Sequence, residues 1–248
     1  MKLCILENDS LDPVVEGIYK GYGAMFERLL RQAGAQGQFD IFNTVKGEYP
    51  ASFEPYDAVL LTGSKADSFS QEPWVLALKD RVQELLAAKK KLIGVCFGHQ
   101  LIALCLGAKV GRAPQGWGAG RMQYQWADPD LAQAHGRAEV AMLASHQDQV
   151  FELPSGAKLL ATSDFCPVAA FGVDKQVFCV QPHPEFVEDY SAFLLNKRRS
   201  TLGEEKYAAS TASLAHGHDG LAVARLMVAF INGADAPAPD AATAAAAS

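Results

Sequence analysis

A cysteine between two contrasting sequence patterns is the first candidate for chemistry in this chain. Leu92–Val95 is a short apolar run, Cys96 follows it, and an apolar helical pattern begins after Gly98. This order predicts a buried strand that turns sharply into a helix, with Gly94 and Gly98 leaving room for their close approach. A thiol at such a turn lies near the positive end of the helix, which favours a nucleophilic thiolate. The alternative is an inert core cysteine, because free cysteines are often buried.

A second junction of the same kind supplies a candidate base. The apolar run Val177–Val180 leads into Pro182, His183, Pro184 and Glu185. The prolines fix the backbone around His183, and the carboxylate of Glu185 can bond one ring nitrogen while the other faces a thiol. Each residue alone is as readily explained as a turn histidine or a helix N-terminal acid. Together the junctions predict a nucleophile and base at the carboxyl ends of strands, where open α/β sheets bind ligands.

Attack by a thiolate on an acyl group also requires donors for the developing oxyanion. The amide of Phe97 directly follows the candidate nucleophile, and the amide of Gly63 lies just after the apolar run Ala58–Leu61. Gly63 alone would be interpreted as an ordinary turn glycine. With the cysteine turn, it favours acyl transfer as the reaction class.

The elements that position these residues alternate between strand and helix over the first hundred residues. Strands are predicted at 3–6, 39–42, 58–61 and 92–95, and helices at 18–30 and 73–88. Alternation with fully apolar strands is typical of a parallel sheet covered on both faces. The predicted class is therefore α/β.

The pattern changes after the helix that follows Cys96. Short strands are predicted at 109–111, 120–126, 138–143, 159–163, 168–171 and 177–180, which indicates antiparallel additions to the sheet. A last helix is expected to end at residue 231. We therefore expect one domain over residues 1–231, followed by a flexible tail rich in alanine and proline over residues 232–248.

Composition excludes several classes of function. The formal net charge is −6, and no basic stripe typical of nucleic-acid binding is present. The five cysteines are widely spaced without a C-x-x-C pair, and no apolar run reaches membrane-spanning length. His216 and His218 lack partners at metal-ligand spacing. We therefore expect a cytoplasmic protein that needs no metal, other cofactor, nucleic acid or membrane.

The two junctions resemble the signature segments of class I glutamine amidotransferases. The segments are GVCFGHQ at residues 94–100 and PHPE at residues 182–185. A third, SHQDQV at residues 145–150, is similar to the S-H-x-D-x-V segment of the GMP-synthase-like branch. Their order and spacing also fit, and the resemblance extends over residues 40–190.

The resemblance implies a flavodoxin-like open sheet and a role for each matching residue. Cys96, His183 and Glu185 would form a catalytic triad, and the amides of Gly63 and Phe97 an oxyanion hole. The side chains implied to lie along the pocket for the glutamyl group are Gln100, Ser145 and His146.

The activity implied is hydrolysis of the side-chain amide of glutamine through a γ-glutamyl thioester, with the ammonia passing to a separate synthetase partner where one exists. Other segments, among them residues 67–69, 73–74 and 116–117, resemble stand-alone γ-glutamyl peptidases, which cleave glutathione-like compounds. A third hypothesis is a catalytically idle binding or regulatory subunit. The intact cysteine, histidine and glutamate weigh against it.

Two positions depart from these families. Ser64 occupies a position where family members often have a second glycine, and Pro182 replaces a glycine of the peptidases, which mildly favours glutamine as substrate. Arg112, Trp117 and Arg121 are candidates for the pocket rim, although isolated residues of these types more often pack or face solvent. The basic run at residues 196–199 is interpreted as a solvated helix face.

Overall fold

The computed structural model describes residues 1–234, which form eleven strands and nine α-helices. The strands are β1 (Lys2–Glu7), β2 (Gln38–Asn43), β3 (Ala58–Leu61), β4 (Leu92–Val95), β5 (Val110–Arg112), β6 (Gly118–Trp126), β7 (Glu139–His146), β8 (Asp148–Val150), β9 (Lys158–Thr162), β10 (Ala170–Val173) and β11 (Val177–Val180). The helices are α1 (Pro13–Tyr19), α2 (Tyr22–Gln32), α3 (Pro73–Ala87), α4 (Phe97–Cys105), α5 (Pro129–His135), α6 (Glu188–Lys197), α7 (Arg199–Leu202), α8 (Glu204–Ser213) and α9 (Gly220–Asn232).

Nine strands form one sheet in the order β2-β1-β3-β4-β11-β10-β9-β6-β7. The first five are mutually parallel, and their order matches that of flavodoxin-like sheets. The remaining four are antiparallel to their neighbours. The predicted mostly parallel sheet with antiparallel additions is confirmed, but the strand predicted at 109–111 is not one of these additions: it corresponds to β5, which pairs with β8 in a separate two-stranded sheet.

The central strands β3, β4 and β11 are buried along their whole length. Phe26 of α2 and Met227 of α9 cover one face of the sheet, and Leu78 of α3 and Leu101 of α4 cover the other. Strands covered on both faces can be apolar at every position, which is why these runs were recognisable in the sequence.

The helix predicted over residues 18–30 is wrong as a single element. The backbone of Lys20 and Gly21 has positive φ angles of 69° and 137°, which separates α1 from α2. Helix α1 begins earlier, where the side chain of Asp12 accepts a hydrogen bond from the amide of Val14 and Pro13 occupies the first turn. The Asp12-Pro13 pair is a helix-start signal that the sequence analysis missed.

The segment after residue 186 contains helices α6, α7 and α8, whose bounds the sequence analysis did not predict. They pack around Tyr190 of α6 in an apolar cluster that also contains Phe186, Leu194 and Leu143. Helix α9 ends at Asn232, one residue beyond the predicted boundary, and residues 235–248 of the predicted tail lie outside the described residues. Within residues 1–234 no helix is long and apolar enough to span a membrane.

Candidate active site

The candidate site lies at the carboxyl ends of three adjacent parallel strands, β3, β4 and β11. Val95 and Val180 are paired in the register of β4 and β11. The amide of Cys96 donates to the carbonyl oxygen of Val180 at 3.0 Å. The two predicted junctions are therefore neighbours, and the polar residues that follow them meet above one edge of the sheet.

Cys96 occupies a strained turn. Its φ and ψ angles are 51° and −101°, and it is the N-cap residue of α4. A Cβ at position 94 would lie 2.7 Å from the Gly98 carbonyl, and one at position 98 would lie 2.5 Å from the Leu61 carbonyl oxygen. The predicted need for glycine at both positions is confirmed. The turn fixes the thiol near the positive end of α4, a position that favours a thiolate.

His183 is held by contacts on its backbone, one ring nitrogen and one ring face. Its amide donates to the carbonyl of Leu143 at 2.8 Å, which links the turn to β7. Nδ1 lies 2.8 Å from Oε1 of Glu185, whose side chain is fully buried. The ring of Phe186 stacks on the imidazole with centroids 3.9 Å apart. The ring is therefore fixed, with Nδ1 committed to the carboxylate.

The surroundings of His183 favour its charged form. Burial alone lowers the pKa of this histidine, but the charges of Glu185 and Cys96, and hydrogen bonds with both side chains, raise it to about 10. The surroundings therefore favour an imidazolium beside the sulfur of Cys96. This arrangement supplies a proton donor next to a nucleophile.

His146, the second histidine of the site, has the opposite charge state. Burial, together with the charge of His183, lowers its pKa to about 3, so it is neutral at neutral pH. Neither ring nitrogen has a hydrogen-bond partner among residues 1–234. The site therefore contains one histidine that favours the charged form, His183, and one that favours the neutral form, His146.

Both predicted oxyanion donors lie beside the nucleophile. Phe97 directly follows Cys96 at the first position of α4, and neither its amide nor that of Gly63 donates to another group of residues 1–234. A Cβ on Gly63 would lie 2.8 Å from Cε1 of His183 and 3.6 Å from Cβ of Cys96. Gly63 therefore faces the gap between nucleophile and base, and only hydrogen fits there.

The three predicted substrate-binding side chains line the same cavity as Cys96. This polar cavity includes Gln100, Ser145 and His146. The amide nitrogen of Gln100 donates to the carbonyl of Asp148 at 2.9 Å and to Oε1 of Gln181 at 3.1 Å. The side chain of Gln100 is therefore fixed at the base of the cavity.

The sequence analysis missed Arg198, a cation of this cavity. Its guanidinium donates to Oγ of Ser145 at 2.9 Å and lies 4.9 Å from the ring centroid of Trp117. Interpreting residues 196–199 as a solvated face is wrong for Arg198. Arg199 does face solvent, with a side chain that is 53% exposed and paired with Glu204.

Asp67 and Asp148 form an acidic pair in the polar cavity. Asp148 is buried, and its Oδ1 has no hydrogen-bond donor among residues 1–234 although Nε of Arg112 is 3.2 Å away. Burial raises the pKa of Asp148 to about 6, with Arg112 opposing and Asp67 adding to the shift. Among the residues predicted for the pocket rim, Trp117 lines the cavity, and Arg112 contacts the carboxylates of Asp67 and Asp148. Arg121 instead donates to Gly217.

Residues 1–234 contain no cluster of three or more histidine, cysteine or acidic side chains able to hold a metal ion. The arrangement instead provides a thiol, an imidazolium–carboxylate pair, two free amides and a polar cavity with both charge signs. These groups suit acyl transfer from a zwitterionic substrate.

Comparison with known proteins gives a consistent result. The family model for class I glutamine amidotransferases matches residues 16–196. γ-Glutamyl peptidase 3 of Arabidopsis thaliana is 37% identical over 180 residues, which are 69% of this chain and 72% of the relative. One of the subunits of the glutamine-hydrolysing GMP synthase of Methanocaldococcus jannaschii is 33% identical over 165 residues, 66% of this chain and 82% of that protein. A solved glutamine amidotransferase from Thermotoga maritima shares the fold, with a TM-score of 0.75 at 19% identity over 93% of this chain and 98% of that one.

Proposed function

This chain belongs to the class I glutamine amidotransferases, and we propose that it hydrolyses γ-glutamyl amides with Cys96 as nucleophile. The main supporting observation is the fixed pair of His183 and Glu185, 2.8 Å apart, beside a cysteine in a strained turn. A structural cysteine would not require a charged histidine at its sulfur. The roles of the site residues follow from this arrangement.

The proposed reaction has two halves. The Cys96 thiolate attacks the γ-carbonyl carbon, and the amides of Gly63 and Phe97 stabilise the oxyanion. His183 gives its proton to the leaving nitrogen as the C–N bond breaks, which leaves a γ-glutamyl thioester and a free amine. The neutral imidazole then takes a proton from water, which attacks the thioester and releases glutamate and the thiolate. Glu185 stabilises the imidazolium in both halves.

The polar cavity has the charges needed for the amino-acid end of a γ-glutamyl group. We assign the α-carboxylate to Arg198, which is held by Ser145 and Trp117. The buried carboxylate of Asp148, which also lies 3.2 Å from Nε of Arg112, suits the α-ammonium group. Because this end is common to glutamine and γ-glutamyl peptides, these contacts serve either substrate.

The relatives leave two interpretations of the leaving group. Glutamine would release ammonia, and in this case a separate synthetase would be the partner, as the name of the GMP synthase relative suggests. The γ-glutamyl peptidase relatives favour a larger amine and a protein that acts alone. The proposed chemistry at Cys96 is the same in both.

The proposed domain covers residues 1–231, which supply all nine strands of the sheet and nearly the whole of α9. We propose a cytoplasmic location on the basis of the five cysteines, which are all free thiols.

Release of glutamate by purified protein tests this function. Wild-type protein is incubated with glutamine and with γ-glutamyl-leucine, beside Cys96→Ala and, as a matched control, Cys105→Ala on the same helix. We expect hydrolysis by the wild type and by the control variant, and none by Cys96→Ala. Hydrolysis by Cys96→Ala at the wild-type rate would overturn the role of Cys96. Release from neither substrate by the wild type, with candidate synthetases added, would favour the catalytically idle interpretation.

A further inference from the structure

A cavity behind the turn that carries His183 has no role in the proposed reaction. It is bounded by helix α2, by residues 184–187 of the turn and by the start of α9, and we call it the rear cavity. Its volume is about 240 Å³, against about 50 Å³ for the polar cavity, and the two cavities share no lining residue. The rear cavity therefore has room for a small organic molecule in a place separate from Cys96.

The floor of the rear cavity is apolar and well fixed. It is formed by Met25, Leu29 and Phe186, whose exposed fractions are 3%, 9% and 2%. Phe186 also stacks on the imidazole of His183, with centroids 3.9 Å apart. A preformed apolar floor stabilises a ligand with a carbon body, because binding removes the apolar surface of that ligand from water.

The rim of the rear cavity carries a cation that has no acidic partner. Nη2 of Arg28 donates to the carbonyl oxygen of Tyr19 at 3.3 Å, which positions the guanidinium at the cavity. Arg28 forms no ion pair within residues 1–234, whereas Arg31 on the same helix pairs with Glu27 at 2.8 Å. The remaining N–H groups of the Arg28 guanidinium match the geometry of a carboxylate.

His218 adds a neutral hydrogen-bond donor to the lining. Its Nδ1 accepts a hydrogen bond from the amide of Gly220 at 3.1 Å, so Nε2 carries the proton of the neutral ring. Burial lowers the pKa of His218, and the charge of Glu188 opposes this only in part. The one acidic residue in the described lining is Glu185, whose Oε1 is bonded to His183. The unpaired charge in the lining is therefore positive.

We propose that the rear cavity binds a small carboxylate with an apolar body, such as an arylalkanoate. The carboxylate pairs with Arg28, and the carbon body packs on Met25 and Phe186. Because Glu185 and Phe186 belong to the lining, an occupant contacts the two residues that hold the imidazole of the proposed base. The proposal does not depend on the reaction at Cys96.

Two probes and a set of variants test this site by isothermal titration calorimetry. 3-Phenylpropanoate and 3-phenylpropanamide share the carbon body, and only the first is charged. Arg28→Met removes the cation, and Arg31→Met is its matched control because Arg31 pairs with Glu27 and lies outside the cavity. Leu221 is 38% exposed at the rim, so Leu221→Trp fills the cavity from the solvent side. Cys96→Ala removes the nucleophile of the polar cavity.

The wild type and Cys96→Ala are expected to bind 3-phenylpropanoate equally, with a dissociation constant of about 1 mM or lower. The amide should bind about threefold to fivefold more weakly, the scale of an exposed ion pair. Arg28→Met abolishes this difference and Arg31→Met retains it. Leu221→Trp weakens binding of both probes by about tenfold or more, the scale of overpacking. Since Arg28 is exposed, its variant remains informative if Leu221→Trp misfolds.

Methionine methyl resonances locate the bound probe. Met25 lines the rear cavity, whereas Met142 lies on β7 and outside the cavity. In protein labelled with methyl-¹³C methionine, the phenyl ring of the probe is expected to shift the Met25 resonance and leave that of Met142 unchanged.

The possible outcomes separate the site from the proposed function. Absence of 3-phenylpropanoate binding by the wild type overturns the site, and equal binding of the two probes overturns the role of Arg28. Binding that is lost in Cys96→Ala, or that shifts Met142 and not Met25, places the probe elsewhere and also overturns the site. Each of these results leaves the proposed hydrolysis standing, because none of them measures it.

Discussion

Two neighbouring cavities differ in part of their linings: Cys96 lines the polar cavity, whereas His183 lines a second cavity that shares Ser64, Lys65, Ser145 and Arg198 with it. The polar cavity has charges of both signs, from Arg198, Asp67 and Asp148. The second cavity adds aromatic and aliphatic side chains, from Tyr22, Phe186 and Leu194. The acidic side chains therefore lie on the Cys96 side, and Arg198 is common to both cavities. Substitutions on the two sides should therefore have distinguishable effects.

The largest expected effect comes from Gly63, which lies between Cys96 and His183 and therefore affects every substrate. In Gly63→Ala the new methyl group would lie 2.8 Å from Cε1 of His183, so the imidazole must move. The backbone amide is retained, so the loss reports positioning of the base. We expect kcat to fall about 100-fold for every leaving group, the scale of a misplaced reacting group. Steady-state kinetics with glutamine and γ-glutamyl-leucine measures this effect.

The matched control for this substitution is Gly17→Ala, because a Cβ on Gly17 meets nothing within 4 Å. It should retain wild-type kcat. A normal kcat in Gly63→Ala would mean that His183 is not confined by this wall.

The next largest effect is expected from the residue assigned to the amino-acid end of the substrate. Arg198→Met removes the cation assigned to the α-carboxylate, and charge-assisted hydrogen bonds contribute about 1.5–3 kcal/mol. We expect kcat/KM to fall roughly 10- to 150-fold, and by the same factor for all γ-glutamyl substrates. Arg199→Met is the control, since Arg199 pairs with Glu204 at the surface. A loss that depended on the leaving group would contradict the assignment of Arg198 to the α-carboxylate, which all γ-glutamyl substrates share.

The smallest effect is a pH dependence of the polar cavity. The pKa of Asp148 is about 6, so its carboxylate becomes protonated as the pH falls through that value and no longer attracts the α-ammonium group. One pH unit below the pKa leaves about a tenth of the group ionised, and kcat/KM should fall by a similar factor. The rise of the His183 pKa to about 10 keeps the imidazolium charged across this range, and its loss limits activity above that pH.

Asp148→Asn provides the comparison for the pH profile. This variant should have a lower kcat/KM at pH 7 and lack the decline centred near pH 6. Persistence of that decline in Asp148→Asn would assign it to another group.

The sequence analysis located those residues of the site that directly follow a recognisable strand. Cys96 and His183 each follow a short apolar run, and strands of that kind end at the same edge of a parallel sheet. Gly63 was identifiable for the same reason. The junctions could therefore be predicted because local pattern and topology determine them together.

The remaining residues of the site depend on contacts between distant segments. Arg198 reaches the cavity through Ser145 of β7 and the ring of Trp117, and nothing near it in the sequence indicates this. The position of the Lys65 side chain depends on its ion pair with Asp9, which lies 56 positions earlier. The placement of Arg198 follows from packing of helices α6–α8 on the sheet, which has no local signature.

The central claim is that every substrate forms the same γ-glutamyl thioester on Cys96, and the fate of that intermediate tests it most directly. Hydroxylamine competes with water for a thioester and yields γ-glutamyl hydroxamate in place of glutamate. The ratio of hydroxamate to glutamate is measured with glutamine and with γ-glutamyl-leucine at the same hydroxylamine concentration. We predict the same ratio from both substrates and no hydroxamate from Cys96→Ala. A ratio that changes with the leaving group, or hydroxamate formed without Cys96, would contradict a shared acyl-enzyme.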